Sequence, residues 1–135
     1  MAFDQTVTTQ AKQSALGYLA TGTLKLALYT AAANLGADTL VYTTQDEVVG
    51  AGYTAGGQTL TNVTVEKSGT TAYLSFDSVT WNPAVFTARG ALVYNSTLGD
   101  LAIAVLDFGA DKTATTFFTV QMPANTAASA LVRFA

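Results

Sequence analysis

The side chains with acid, base or nucleophilic chemistry are seven aspartates, two glutamates, four lysines, two arginines and six tyrosines; the 135-residue chain has no histidine and no cysteine. That inventory removes Ser-His-Asp and Cys-His nucleophiles, the imidazole general base and the usual zinc sites. Carboxylate chemistry is what remains. Asp46 and Glu47 are adjacent, and Asp100, Asp107 and Asp111 lie near one set of expected turns. A glycosidase holds two carboxylates roughly 5 to 9 Å apart across a groove, and no spacing here selects that over aspartates that start turns. The acids also lack the alternating Asp/Asn ladder of a calcium loop. The expectation is a non-enzyme with no catalytic residue, no metal and no cofactor.

Three further motifs dissolve on context. Gly50-Ala51-Gly52 with Gly56 and Gly57 looks like a phosphate loop, but Gln58-Thr59-Leu60 follows in a strand pattern instead of Gly-Lys-Ser/Thr opening a helix. The stretch reads as a mobile or partner-contacting loop with Tyr53 at its tip, since glycine permits close backbone approach. Asp107-Phe108-Gly109 copies the kinase magnesium tripeptide without the lysine and catalytic-loop motifs. Asn62-Val63-Thr64 and Asn95-Ser96-Thr97 match glycosylation sequons, but the first residues carry no secretory pattern. Trp81, Phe86 and Tyr94 could stack on a sugar, although aromatics in a strand-rich chain more often pack the core.

Charge excludes two partner classes. Lys12, Lys25, Lys67, Arg89, Lys112 and Arg133 are scattered singly in a chain of net charge -3, so neither nucleic acid nor an anionic membrane surface finds a basic stripe. No run approaches the ~20 apolar residues of a membrane span. Charged residues are only 11% of the chain against ~25% in ordinary globular proteins. A surface so short of charge is expected to be covered in part by a partner.

Val7, Ala11, Ala15, Tyr18 and Leu19 recur near helical spacing between Gln5 and Ala20, while Gly17 and the Thr6-Val7-Thr8-Thr9 start weaken the helix and leave an extended arm open. Val7, Ala11 and Tyr18, together with Tyr53, are the candidate partner-binding residues. From Thr23 onward the sequence reads as short strands, at Thr23 to Thr30, Thr39 to Thr43, Gln58 to Glu66, a hairpin strand carrying Ala72, Leu74 and Phe76, then Phe86 to Tyr94, Leu101 to Phe108, Thr115 to Met122 and Ser129 to Phe134. Eight or nine strands suit an all-β, two-sheet antiparallel β-sandwich, jelly-roll-like, with an N-terminal helix or arm. The expected division is residues 1–22 as helix or arm and 23–135 as the β-sandwich domain.

The runs Gly50 to Leu60, Val79-Thr80-Trp81, Thr87 to Asn95 and Leu101 to Gly109 resemble a family of small tailed-bacteriophage virion structural proteins. The resemblance, which extends to a leading helix and a late Phe-rich strand, implies a capsid decoration or cement protein in many copies. Its implied partners are the major capsid protein or other virion proteins and further copies of itself, as dimer or trimer, in a virion assembled in the host cytoplasm. Open alternatives are a tail, head-fibre or baseplate subunit, or a host-glycan-binding module. On this reading residues 1–20 form a clasp whose removal leaves the β-domain folded.

Overall fold

Thr6, Val7 and Thr8 are β-branched or lie outside helical geometry, and the helix begins only where a cap allows it. In the computed structural model, which describes residue 3 and residues 5–135, Thr8 has extended backbone and its Oγ1 accepts from the Ala11 N–H at 3.2 Å, an N-cap arrangement. Helix α1 (Thr9–Leu19) follows, shorter than the expected span from Gln5. It ends as expected, with the Ala20 N–H on the Leu16 carbonyl at 2.9 Å and Gly22 at φ +78°.

The buried face of α1 is not the expected stripe. Leu16 is 0% exposed, Leu19 and Ala20 pack beside it, and Lys12 and Gln13 are half-buried. These positions follow i, i+3, i+4 spacing. Lys12 lays its stem along the protein and sends Nζ to the Thr70 carbonyl at 2.8 Å, so a charged residue occupies an inward position by reaching out at its tip. Val7, Ala11, Ala15 and Tyr18 face solvent.

Nine strands are present among the described residues, all paired antiparallel. They are β1 (Leu24–Tyr29), β2 (Gln58–Thr59), β3 (Thr64–Ser68), β4 (Thr71–Ser75), β5 (Val79–Trp81), β6 (Phe86–Asn95), β7 (Leu101–Ala114), β8 (Phe118–Val120) and β9 (Val132–Phe134). One sheet has the order β2-β1-β6-β7, a second β3-β4-β9, and a third is the pair β5-β8. A single core draws on all three, with Leu24, Leu26, Leu28 and Val93 from the first, Ala72 and Leu74 from the second, and Trp81, Phe118 and Val120 from the third. Leu16 of α1 belongs to that same core.

Most strands fall near their expected positions, and three departures have physical causes. Residues 39–43 form no strand; Val41 makes an isolated bridge to Leu101, and Tyr42 stacks on Tyr94 with ring centroids 4.6 Å apart. The expected strand from Gln58 to Glu66 splits into β2 and β3 at Asn62, which has φ +53° and donates Nδ2–H to Asp77 Oδ2 at 2.6 Å. The expected turn over Gly109 to Lys112 is instead a four-residue irregularity inside β7, where residues 108–111 lie opposite Arg89 alone between the Gly90–Asp107 and Ala88–Lys112 pairs. Strand β1 is also buried on both faces: Ala27 and Tyr29 form a second small core with Leu92 and Tyr94, covered by Ala33, Leu35 and Tyr42.

Candidate interaction surfaces and a buried carboxylate

Glu47 is the carboxylate with the most unusual surroundings. Its partner in sequence, Asp46, sits in an exposed turn at φ +61°, whereas Glu47 is 6% exposed. Tyr42 donates its hydroxyl to Oε1 at 2.6 Å, Tyr53 donates its hydroxyl to Oε2, and the Gly56 N–H donates to Oε2 at 2.9 Å. Tyr53 in turn accepts the Leu28 N–H at 2.9 Å. The carboxylate is thereby saturated with donors, and it lines none of the five principal clefts. This geometry fastens residues 42–57 to β1.

Tyr53 therefore does not stand at an exposed loop tip. Its ring packs against the main core near Trp81 and Phe86, at centroid distances of 6.0 and 5.8 Å. The glycines around it allow close backbone approach, as the sequence suggests, but to this chain's own backbone. A Cβ on Gly52 would collide with the Pro83 carbonyl and one on Gly57 with the Leu26 carbonyl, and both residues have positive φ. The partner-contacting role expected for Tyr53 gives way to an internal one.

The tyrosines of this region are held in their neutral form. Burial raises the Tyr29 pKa to about 12, and burial with the charges of Asp100 and Glu47 raises Tyr94 to about 12. Burial and then the bond to Glu47 push Tyr42 and Tyr53 well above the ordinary tyrosine range. In the unfolded chain these hydroxyls ionise near pH 10, so above that pH the unfolded state releases protons that the folded state keeps, and stability falls as pH rises. The melting temperature is expected to hold up to about pH 10 and to drop steeply toward pH 12, with tyrosinate absorbance appearing together with the loss of circular dichroism.

The other sequence candidates separate. Asp107 accepts from the Gly109 N–H at 2.8 Å and from Arg89 at 3.3 Å, which hold its carboxyl below the ordinary carboxylate range. Among the described residues no three acids gather as metal ligands would, and no helix is long and apolar enough to cross a membrane. Trp81, Phe86 and Tyr94 are buried in the core, so they form no sugar platform. Asn95, the first residue of a sequon, is fully buried.

Several large apolar side chains stand outward among the polar residues of the surface. Phe3 is 89% exposed and Val7 64%, Tyr18 and Ala11 stand on the free face of α1, and Leu40, Val49 and Phe117 are exposed elsewhere. A cleft of about 640 Å³ also opens between Val105 to Phe108 of β7 and Phe118 to Gln121, with Leu131 against it. Among the described residues strand β7 has β6 as its ladder partner, with Val41 bridged to its first residue, and β8 has β5, so the rest of β7 and β8 each have an unpaired edge. Comparison with models of protein families, with curated proteins and with solved structures returns no match.

Proposed function

We propose that the chain is a structural subunit of a bacteriophage virion, a capsid decoration (cement) protein that seats on the major capsid protein and associates with copies of itself. The observation that carries the proposal is the exterior: large apolar side chains such as Phe3, Val7, Tyr18 and Val49 stand in solvent on a chain with 11% charged residues. Such a surface favours burial against neighbours. The resemblance of the Gly50 to Leu60 and Thr87 to Asn95 runs to small virion proteins supplies the kind of assembly. We read the sheets β2-β1-β6-β7 and β3-β4-β9 as the two layers of a jelly-roll-like sandwich, on the ground that both contribute to one core.

Immunogold labelling, with antibody raised against the purified chain, of particles released by the source culture tests this. The expected result is dense, regular label over the heads. Label confined to tails or baseplates reassigns the subunit within the particle, and particles without label overturn the proposal.

A further inference from the structure

We infer that the cleft between β7 and β8 takes an extended strand, and that its occupant is the N-terminal arm, residues 3–8, of a second copy of the chain. The inference rests on the reading of the chain as a self-associating subunit and names the contact that joins two copies.

The chemistry of the cleft specifies the ligand. Among the described residues β7, beyond its first residues, makes no backbone ladder except with β6, and β8 makes none except with β5. A backbone edge that lacks a partner is satisfied by a further strand, which supplies N–H and C=O groups at the matching spacing. The lining is apolar through Leu106, Phe108, Phe118, Val120 and Leu131, so the incoming strand must put apolar side chains on one face. Alternation along a strand places every second residue there.

The arm has that pattern. Phe3, Gln5 and Val7 fall on one face of an extended segment and Asp4, Thr6 and Thr8 on the other. Thr8 is extended already, at φ -67° and ψ 149°. Before Thr9, whose Oγ1 reaches the Gly69 carbonyl at 3.5 Å, the side-chain bond found in the described part of the arm is the local one from Thr6 Oγ1 to the Val7 carbonyl. Charge agrees as well. Asp107 at the cleft is paired with Arg89, whereas Lys112 makes no ion pair among the described residues, and alternation assigns Asp4 to the polar set of the arm. Among the described residues no backbone hydrogen bond joins the arm to the cleft, which leaves each available to a neighbouring copy.

The test uses the full chain with p-benzoylphenylalanine in place of Phe3, mixed with an equal amount of the unmodified chain labelled with ¹⁵N. After irradiation and digestion, cross-linked peptides are expected to join residue 3 of one isotope to residues 105–121 of the other. A Phe3→Asp/Val7→Asp double variant should keep its circular dichroism and melting temperature and self-associate at least about tenfold more weakly by light scattering. Cross-links within one chain, cross-links to α1 or β3, or a double variant that self-associates normally overturn the arm exchange. A chain that labels particles in the immunogold experiment yet shows any of these results loses the arm exchange alone. Unlabelled particles together with inter-chain cross-links at the cleft would remove the virion role and keep the exchange.

Discussion

Replacing Glu47 with alanine is expected to destabilise the protein by about 3 to 5 kcal/mol, a large share of the 5 to 15 kcal/mol that holds a typical domain together. The side chain accepts from Tyr42, Tyr53 and the Gly56 N–H, and its removal leaves three donors unmatched in a buried site. Each such donor costs on the order of 1 to 3 kcal/mol, moderated where water can enter. Glu47→Gln should cost less, because its carbonyl retains one acceptor. The check is urea denaturation of both variants. Hydrogen exchange separates this fastening role from a general loss of stability: in Glu47→Gln the amides of residues 42–57 should exchange faster while those of β6 stay protected.

Leu16→Ala is expected to cost about 2 to 5 kcal/mol, the range for truncating a buried leucine. Leu16 is 0% exposed and sits in the core shared by all three sheets. Tyr18→Ala, two residues along the same helix, should change stability by no more than about 0.5 kcal/mol, since Tyr18 is exposed. The contrast, measured as urea midpoints, distinguishes the helix as part of the core from the helix as a detachable clasp. Removing residues 1–20 takes Leu16 out of that core, so that truncation is expected to unfold or badly weaken the β-domain. Removing residues 1–8 spares it.

Local alternation carried much of the architecture. Leu24, Leu26 and Leu28 alternate with Lys25, Ala27 and Tyr29, and Ala72 and Leu74 alternate with Tyr73 and Ser75, which is enough to recognise β1 and the β3-β4 hairpin. The hidden parts depend on residues distant in sequence. The second buried face of β1 exists because residues 33–42 fold over it, and no pattern within β1 reports that cover. Lys12 and Gln13 disguised the inward face of α1 as polar, while Val7, Ala11 and Tyr18, named as partner-binding residues, stand in solvent. Glu47 was visible as a carboxylate beside Asp46, but its burial follows from two tyrosines five and six residues away in opposite directions. Of the candidate surface, the free face of α1 was legible, whereas the cleft arises from the pairing of β7 with β6 and β8 with β5, which sequence order does not reveal.

The fully buried Asn95 donates Nδ2–H bonds to the carbonyls of Leu19 at 2.8 Å and Thr21 at 2.7 Å, and its Oδ1 accepts the N–H groups of Thr97 and Leu98 at 2.9 and 3.2 Å. One side chain thus ties the end of α1 to a residue 76 positions later. During synthesis the helix leaves the ribosome long before its tether exists. At about 5 to 20 residues per second, several seconds pass before Asn95 is made and β6 can lie against β1. Through that interval the N-terminal segment lacks its Asn95 tether, and the partners already made for α1 are β3 and β4.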